Sequence, residues 1–546
     1  MPADVGTYVL DGRVVTMSPT FDVHDAGRVY VRGDRIAAVG PADASPPEGF
    51  DKAPLVRTGG TLYPGLIELH NHLPYNVLPL WQVARRYDNR GQWGGVPGYR
   101  ARISGPMGIL GRVAGYIEAI VRYVEVKCVL AGVTTSQGIA LYSNAGARRY
   151  YHGLVRNVEQ PGVGLPAAGT RIADVEAEQA ARLLERLRRS SCLLLHLSEG
   201  VDDAARSHFR ALRVEGRRWA IGDALAGIHC AGLRGRDYAT LRSRGGAMVW
   251  SPLSNLLLYG QTADIARAAR ERVLIGLGSD WSPSGSKNLL GEMKVAWLVA
   301  AQREAGLSAR DIVAMVTVNA ARILKWGGEL GSLERGKRAD LIVVNGLRGD
   351  PYEHLLRARE TTLTLVVIDG AARYGQPRMM RRLSHDGERI DIGGSARVLD
   401  LSDAASDPIV GALSLAAARD RLADGMGRLP ELARRMEEPG GAGVPLGATS
   451  ATEPGTWFLE LDHERLPGFS QRPQLSFAGA ATGAFPELSG AGFLSDVVEP
   501  MELDPLTVAD DGAFLDNLAA AANLPEFVGR ELPPLYGQRP RTPRPA

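Results

Sequence analysis

Residues 65–72 read GLIELHNH, an apolar and β-prone stretch that ends in His70 and His72, one residue apart. Side chains two positions apart in an extended chain lie on the same face, so both imidazoles can reach one ion. The stretch therefore predicts a metal site at the end of a strand. The alternative is a solvated histidine pair in a loop, and the rest of the chain distinguishes the two.

Three further polar residues end apolar runs in the same way. His196 follows residues 192–195 (CLLL), His229 follows residues 225–228 (LAGI) and Asp280 follows residues 273–279 (VLIGLGS). The chain has 10 histidines in all, and four of them stand at such ends. In a parallel α/β barrel, the carboxyl ends of the strands carry the chemistry. The pattern favours one shared site on such a barrel.

From residue 60 the chain alternates strand-like and helix-like stretches, as expected of parallel strands wrapped by helices. Strands are predicted over residues 62–69, 133–139, 154–158, 167–172, 192–197, 224–228, 247–250 and 273–277. Helices are predicted over residues 112–130, 174–189, 202–214, 262–272 and 286–305. This pattern predicts an α/β fold in which residues 59–325 form a (β/α)₈ TIM barrel.

Both flanks of the barrel read as β structure. Short apolar runs separated by Asp-Gly and Gly-Asp turns occupy residues 1–58, and runs of the same character lie within residues 326–380. Because terminal segments commonly pack together, we expect one composite β-sandwich module built from the two flanks. Residues 381–546 form a C-terminal extension of unknown role, with a helix predicted over 408–426 and an extended or disordered tail at 539–546. The extension either covers the barrel mouth or is an inert appendage.

Composition narrows the class of protein. With 45% hydrophobic residues, 23% charged residues and a formal net charge of +2, the 546-residue chain is typical of a soluble globular protein without affinity for nucleic acid or membranes. We therefore expect a small-molecule partner. Cys128, Cys192 and Cys230 stand in or beside apolar runs, which predicts reduced core thiols. The amino terminus has no secretory pattern, so we expect a cytoplasmic protein. A homodimer is the commonest assembly for such enzymes.

His70, His72, His196 and Asp280 together offer three nitrogens and one oxygen. This set suits one divalent metal ion per chain, Zn²⁺ first and Fe²⁺ as the alternative. A divalent ion lowers the pKa of its bound water from 15.7 to about 7, which makes hydroxide available at neutral pH. The residues thus predict a hydrolytic metal site.

Three residues are candidates for proton transfer. Asp280 can accept the proton of the water, with a helix cap as the alternative role. Glu199, three residues beyond His196, can protonate a leaving nitrogen, or can be an acidic residue favoured by the dipole of the following helix. His229 can polarise the substrate or the water, and its alternative is a hydrogen-bonded core histidine.

In this order the motifs resemble the amidohydrolase superfamily, in its cytosine deaminase and triazine hydrolase branch. The residues that carry the resemblance are His70-x-His72 after strand one, His196-Leu-Ser-Glu199 after strand five, His229 after strand six and Asp280 after strand eight. Residues 251–255 (SPLSN) resemble the Ser/Cys-Pro-x-Ser-Asn element of that branch. The resemblance covers residues 5–380. It implies one catalytic metal held by His70, His72, His196 and Asp280, with Glu199 and His229 assisting proton transfer and substrate activation.

The number of metal ions has an independent indicator in the sequence. Binuclear members of the superfamily usually bridge two ions with a carbamylated lysine on strand four, and no lysine occurs between Lys127 and Lys287. A mononuclear site is therefore expected. Glu159 is the residue that could overturn this expectation as an alternative bridging carboxylate.

The substrate is not named by any residue, but candidates to line the pocket follow the metal motifs. They are Trp281 and Ser282 directly after Asp280, Asn255 in the SPLSN element, and Tyr75 and Trp93 in the long aromatic and basic loop after His72. A solvated surface loop packed on the C-terminal segment is the alternative for that loop.

The resemblance predicts hydrolysis of a C–N bond, either deamination of an amino-heterocycle or hydrolysis of a cyclic or linear amide. Other bonds within reach of the same hydroxide are a heteroaromatic carbon–halogen bond and an ester or lactone. A catalytically silent scaffold protein is the alternative from another class.

Overall fold

The computed structural model describes residues 6–113, 115–143, 147–215, 218–384, 387–403, 406–438, 457–461 and 493–538. Its strands are β1 (Thr7–Val15), β2 (Val23–Arg32), β3 (Arg35–Pro41), β4 (Leu55–Pro64), β5 (Leu66–Ile67), β6 (Val133–Ser136), β7 (Ala140–Ser143), β8 (Arg148–Tyr150), β9 (Arg156–Asn157), β10 (Ala168–Arg171), β11 (Cys192–Leu197), β12 (Leu225–His229), β13 (Ala247–Trp250), β14 (Leu274–Leu277), β15 (Leu341–Asn345), β16 (Leu363–Ile368), β17 (Ala371–Gly375), β18 (Glu388–Ile392), β19 (Ser395–Leu399) and β20 (Trp457–Leu459).

The α-helices are α1 (Pro97–Tyr99), α2 (Gly105–Leu110), α3 (Tyr116–Leu130), α4 (Ala180–Leu187), α5 (Asp203–Arg210), α6 (Arg236–Ser243), α7 (Pro252–Tyr259), α8 (Ile265–Arg270), α9 (Leu289–Gln302), α10 (Ala309–Met315), α11 (Val318–Ile323), α12 (Pro351–Leu356), α13 (Pro377–Leu383), α14 (Leu415–Gly427), α15 (Leu429–Glu437), α16 (Phe514–Ala520) and α17 (Glu526–Leu535). Within the described residues, no helix is both long enough and apolar enough to cross a membrane.

The middle of the chain is a barrel-like α/β unit of short parallel strands. Five strands pair in the order β10-β11-β12-β13-β14, and three pair in the order β5-β6-β9. Backbone hydrogen bonds connect the two sheets at both margins: Ala168 N donates to Val158 O over 2.8 Å, and Asp280 N donates to His70 O over 2.9 Å. The parallel direction brings the carboxyl ends of all these strands to one side of the unit.

Strand β11 shows how the two faces of a strand are used. Leu193 and Leu195 belong to the large apolar cluster that includes the surrounding helices. Leu194 lies on the opposite face, in a separate cluster with Ile228 and Val249 of the neighbouring strands. Since side chains alternate along a strand, His196 shares the face of Leu194 and points to the interior side of the sheet.

The structure differs from the prediction of one strand over 62–69. The chain forms two strands there: β4 ends at Pro64 and pairs with β15, while β5 pairs with β6. Pro64 lacks a backbone N–H, and a Cβ at Gly65 would lie 2.4 Å from Thr134 Oγ1. The chain therefore passes from one sheet to the other at this dipeptide, because only a residue without a side chain allows the close approach to β6.

The two flanks share one sheet of nine strands, in the order β18-β19-β17-β16-β15-β4-β1-β2-β3. Strand β4 connects them: it pairs parallel with β1 and antiparallel with β15. Strands β18 and β19 lie beyond residue 380, so the sheet includes the first part of the predicted extension. The sandwich arrangement and the division into domains stay predictions.

The described part of the C-terminal extension packs on the barrel unit. Helix α14 begins at Leu415, later than the predicted start at residue 408, because Ser414 caps it by accepting a hydrogen bond from Ala417 N. Strand β20 pairs with β7, and Tyr123 of α3 donates a 2.7 Å hydrogen bond to Asp504 O. These contacts attach the described part of the extension to the barrel unit, and its covering of the barrel mouth stays a prediction. The predicted tail at 539–546 lies outside the described residues.

Candidate metal centre and active site

Four imidazoles and one carboxylate converge where β5, β11, β12 and β14 end. The ring centroids of His72, His196 and His229 lie 4.9, 4.7 and 5.1 Å from that of His70. Asp280 Oδ1 lies 3.1 Å from His70 Nε2 and 3.4 Å from His72 Nε2. The structure thus brings together residues that are distant in sequence, and all of them are at least largely buried.

The backbone at the strand ends has a conformation that turns the chain sharply. His229 and Asp280 both adopt positive φ angles, 66° and 65°. Non-glycine residues rarely occupy this left-handed region, and when they do it is often at functional sites. Asn71 and Asp280 also form a parallel β-bridge, which holds the segment after β14 against the segment after β5. The ligand positions are therefore fixed by backbone pairing as well as by side-chain packing.

The second ring nitrogen of each interior histidine is held by a specific partner. His70 Nδ1 lies 3.2 Å from Gln137 Oε1, which also accepts a hydrogen bond from Asn71 N. His196 Nδ1 lies 3.3 Å from the carbonyl oxygen of Arg171. Because both partners are acceptors, Nδ1 carries the proton in both rings and Nε2 keeps its lone pair for a metal ion.

His229 has the opposite arrangement. Trp250 Nε1 donates to Thr262 Oγ1, and Thr262 in turn donates to Asn255 Oδ1 over 3.2 Å. This fixes the Asn255 amide with its nitrogen 3.1 Å from His229 Nδ1, so that nitrogen accepts the hydrogen bond. His229 therefore carries its proton on Nε2. A histidine held in this tautomer is a hydrogen-bond donor toward the site.

Burial keeps the imidazoles of His196 and His229 uncharged. Burial lowers the pKa of His196 well below its usual value, and the nearby His70, His72 and His229 lower it further. Burial likewise lowers the pKa of His229 to about 4. For Asp280, burial acts to raise the pKa, but the surrounding histidines outweigh it and lower the pKa below its usual range. Neutral imidazoles and an ionised carboxylate are the forms that bind metal ions.

Glu199 lies on the His229 side of the cluster. Tyr259 donates a 2.9 Å hydrogen bond to Glu199 Oε1, and Arg90 Nη1 lies 3.4 Å from Oε2. His229 Nε2 lies 3.7 Å from the same Oε2. Trp93 Nε1 donates to the Tyr259 hydroxyl over 3.0 Å. The carboxylate is thus held from three sides and faces the interior of the site.

Several residues that were not predicted from the sequence hold this arrangement. Glu68 accepts hydrogen bonds from His70 N and from both the N–H and the hydroxyl of Ser279. Burial raises the pKa of Glu68 to about 7, although these hydrogen bonds oppose the shift. Arg90 belongs to the loop noted as basic, which was the one available signal. Nothing local marks Glu68, Gln137 or Tyr259, because their partners come from other strands.

The predicted substrate-binding residues are not all placed alike. Trp281 lies beside the site. Its ring centroid is 5.9 Å from that of His72, 5.2 Å from that of Tyr75 and 6.1 Å from that of Trp93. Tyr99, absent from the prediction, joins the same aromatic cluster. Asn255 and Ser282 differ from these aromatic residues. The Asn255 amide is hydrogen-bonded to His229. Ser282 is buried and hydrogen-bonded to Asn76 and Lys127. Both side chains have hydrogen-bond partners within the protein, and their binding of a substrate stays a prediction.

A second metal ion has few ligands to bind it. Within the described ranges, groups of three or more close His, Cys, Asp or Glu side chains contain only His70, His72, His196, Glu199, His229 and Asp280. Glu159 accepts a 2.8 Å hydrogen bond from Gly138 N and belongs to none of these groups. Burial raises the pKa of Glu159 to about 7. Its position does not support a bridging role.

The donor set fits a divalent metal ion. His70 Nε2 is fully buried, and no hydrogen bond satisfies it even though Asp280 Oδ1 is 3.1 Å away. A buried polar atom without a partner is costly, and an ion between the two groups would satisfy both. Three imidazole nitrogens and one carboxylate are a common zinc donor set.

Comparison with known proteins places the chain in a family. The model of the Amidohydrolase family matches residues 61–373. A 5-methylthioadenosine/S-adenosylhomocysteine deaminase of Symbiobacterium thermophilum is 28% identical over 374 residues, which is 62% of this chain and 84% of that protein.

Two solved structures are similar in fold. One is a zinc-bound adenosine deaminase from Xanthomonas campestris (TM-score 0.51, 17% identity, covering 78% of this chain and 99% of that one). The other is the E. coli guanine deaminase (TM-score 0.52, 16% identity, covering 67% and 98%). At such identities the likeness concerns the fold alone. The family match spans more than half of the chain and confirms the resemblance found in the motifs, so this chain belongs to the amidohydrolase family.

Proposed function

We propose that this chain is a metal-dependent deaminase that hydrolyses the C–N bond of an amino group on an aromatic heterocycle, with adenine nucleosides as the first class to test. The broader class, a hydrolase acting on C–N bonds other than peptide bonds, follows from the family and from its deaminase relatives. The observation that carries the proposal is one buried cluster in which His70, His72, His196 and Asp280 face Glu199 and His229.

The cluster suggests a division of roles. His70, His72, His196 and Asp280 would hold one divalent ion, Zn²⁺ first, which when bound lowers the pKa of water to about 7 and supplies hydroxide. His229 would donate a hydrogen bond from Nε2 to the substrate, because Asn255 occupies its Nδ1. Its low pKa keeps it neutral, so it orients and polarises without carrying a charge.

Proton transfer would fall to the two carboxylates. Asp280 accepts a proton from the attacking water, which adds to the sp² carbon that bears the amino group. Glu199 carries the second proton, from the hydroxyl group now on that carbon, to the departing nitrogen, and ammonia leaves as the carbonyl forms. The proton held by Asp280 passes to the ring nitrogen beside that carbon, so both carboxylates end ionised. Tyr259 and Arg90 keep the Glu199 carboxylate aimed at the site. Each proton removed from water is thereby delivered to the product.

Two observations favour a planar heterocycle over a linear amide. Two relatives that align with more than 60% of this chain are named as 5-methylthioadenosine/S-adenosylhomocysteine deaminases. The cluster of Trp281, Tyr75, Trp93 and Tyr99 beside His72 offers aromatic faces for stacking. Amide hydrolysis, dehalogenation and ester or lactone hydrolysis are the outcomes that would replace deamination in a substrate screen.

Finer features of the molecule belong to the same proposal. The hydrogen bonds at both margins support closure of the eight parallel strands into a (β/α)₈ barrel over residues 59–325, with residues 1–58 and 326–380 as the second module. Three free and buried cysteines support a reducing, cytoplasmic location. A homodimer is testable by light scattering.

The test is a screen of zinc-loaded protein against adenine nucleosides, other amino-heterocycles, cyclic ureas and N-acyl compounds. Ammonia release and carboxylate formation are followed separately. Ammonia release from at least one amino-heterocycle is expected. Carboxylate formation alone would replace deamination by amide hydrolysis, and a stable protein that binds no metal would favour a scaffold.

Replacing Glu199 by Gln tests the role of this residue. The amide keeps the shape but cannot carry the proton, so we expect turnover to fall at least about 100-fold. Metal content, measured by atomic emission, should stay near that of the unmodified protein. Retained turnover would remove Glu199 from the proposed mechanism.

A further inference from the structure

Asp504 belongs to the C-terminal extension, far outside residues 61–373 that match the family. It is nevertheless 1% exposed and bonded through every polar group. Its backbone N–H donates to Val77 O over 3.0 Å, and its carbonyl accepts from Tyr123. Its carboxylate contacts Lys127 Nζ at 2.5 Å and also Lys287 Nζ. Such complete use of a buried carboxylate indicates a specific position for this segment.

One set of these bonds fixes the segment that follows β5. Val77 lies five residues after His72, and Asp504 holds its carbonyl directly. Lys127, held by Asp504, donates a 2.8 Å hydrogen bond to Asn76 O. Asn76 Nδ2 in turn donates to Asn71 Oδ1 over 2.9 Å. Asn71 stands between His70 and His72, so the chain of contacts reaches the first two proposed ligands.

A second set fixes the segment that follows β14. Lys127 Nζ lies 3.4 Å from Ser282 Oγ, and Asn76 Oδ1 accepts a 2.8 Å hydrogen bond from Ser282 N. Ser282 is two residues from Asp280. The same segment ends at Lys287, which Asp504 and Asp511 both contact. The segments that carry His70, His72 and Asp280 are therefore bonded, directly or through one lysine, to the same aspartate.

The charges explain why a carboxylate is needed there. The Lys127 and Lys287 side chains are 3% and 1% exposed. A buried ammonium group is strongly destabilising unless a carboxylate compensates it. Without Asp504, Lys127 would have no carboxylate within salt-bridge distance among the described residues and would be driven to reorient. Asn76 and Ser282 would then lose the group that joins them.

We propose that Asp504 is a positioning residue of the metal centre, through which the C-terminal extension sets the two segments that carry His70, His72 and Asp280. The extension is thus a component of the active site of this chain. This positioning role rests on the metal site of the proposed function, and it is tested without any substrate.

The test compares full-length Asp504→Asn with the unmodified protein. Zinc affinity is measured by competition with a chromophoric chelator, and amide hydrogen exchange is measured on the metal-free protein. We expect zinc affinity to fall at least tenfold and exchange over residues 73–78 and 280–288 to accelerate at least tenfold. Unchanged affinity and unchanged exchange would overturn the proposal. Neither readout requires a substrate, so a failed substrate screen leaves this result unaffected.

Asp510→Asn is the matched control in the same segment. Asp510 accepts hydrogen bonds from Gly393 N and Thr507 Oγ1, which both lie in the extension. Asp510→Asn weakens these hydrogen bonds and leaves the contacts of Lys127 unchanged. Zinc affinity should therefore stay within twofold of the unmodified value. An equal loss in Asp510→Asn would show general undocking of the extension and would overturn the positioning role.

A double variant separates positioning from charge compensation and is used also if Asp504→Asn does not fold. In Lys127→Met with Asp504→Asn, Lys287 keeps Asp511 as its partner, so no buried ammonium is left without a carboxylate. The double variant should fold and still bind zinc at least tenfold more weakly, because the contacts to Asn76 and Ser282 are gone. Full zinc affinity in the double variant would overturn the proposal.

Discussion

Gly278 decides whether His70 can occupy its place. A Cβ at position 278 would lie 2.4 Å from His70 Cβ and 2.8 Å from both the nitrogen and the oxygen of its backbone. His70 O also accepts a hydrogen bond from Asp280 N, which joins the segments after β5 and β14, so His70 cannot move independently. At the scale of single residues, the site therefore requires a glycine at position 278 as well as the proposed metal ligands.

Gly278→Ala should displace His70 and reduce bound zinc to well below one ion per chain after dialysis. The control is Gly222→Ala, since nothing lies within 4 Å of a Cβ built at Gly222. Atomic emission on both purified proteins gives the metal content. Full zinc occupancy in Gly278→Ala would show that the neighbouring strand adjusts more easily than its contacts indicate.

Asn255→Asp tests the tautomer of His229. A carboxylate at position 255 accepts a proton where the amide donated one, so the imidazole should carry its proton on Nδ1 and lose the donor on Nε2. We expect turnover to fall about 100-fold with zinc content unchanged. Nitrogen-15 chemical shifts of the imidazole report the tautomer directly, and identical shifts in both proteins would contradict the assignment.

At the scale of elements, the segment between β5 and α3 acts as a wall of the site. Arg90 fastens it: its guanidinium bonds to Ile172 O over 2.8 Å, to Asp174 over 2.7 Å and to Glu199. The residue next to it, Asn89, forms a β-bridge with Gly200. The segments after β5, β10 and β11 are thus joined by one side chain. For the rest of this loop, the pocket role and the alternative of a solvated surface loop packed on the C-terminal segment stay predictions.

Arg90→Met should loosen this wall and free the Glu199 carboxylate. We expect kcat/KM to fall about tenfold or more, which corresponds to about 1.4 kcal/mol of transition-state stabilisation. The exposed Arg102 pairs with Glu499 on the surface, and Arg102→Met is the control because such pairs contribute little. The measurement is kcat/KM of Arg90→Met and Arg102→Met under the same steady-state conditions. Equal kinetics would show that Arg90 has no part in holding Glu199.

At the scale of the whole molecule, the C-terminal extension changes how the fold is stabilised. Lys294 of α9 is fully buried beneath it. Its Nζ donates hydrogen bonds to the carbonyl oxygens of Leu290 and Ala358 and lies 4.8 Å from the centroid of the Tyr536 ring. Burial lowers the pKa of Lys294 to about 7, while nearby Glu360 acts to raise it. The free energy of unfolding therefore depends on the protonation of Lys294.

The pH dependence of unfolding should show this linkage. The folded pKa of Lys294, about 7, lies below its unfolded value of 10.5. Between these pH values the unfolded chain binds the proton and the folded chain does not, so stability rises with pH, by about 1.4 kcal/mol per unit from this group. Below pH 7 both states bind it and the contribution is constant. Lys294→Met should remove that slope in denaturant titrations of metal-free protein, and equal slopes would refute the shift.

The local sequence was sufficient to predict β11, β12 and β14 and the polar residues at their carboxyl ends. The apolar runs before His196, His229 and Asp280 coincide with β11, β12 and β14, because a buried parallel strand requires continuous apolar residues and its carboxyl end is fixed by the run itself. The single strand predicted over 62–69 failed where Pro64 and Gly65 divide it. Periodicity alone cannot show that a run is shared between two sheets.

The sequence by itself determined the family, the chemistry of the donor set and the ends of the strands, since each depends on residue types within a short stretch of chain. Only the tertiary structure decided which tautomer His229 adopts, what holds Glu199 and what Asp504 contacts. The bonds concerned join residues 26, 60 and 377 positions apart. Such contacts form only after the strands have aligned, and no local pattern of residues encodes them.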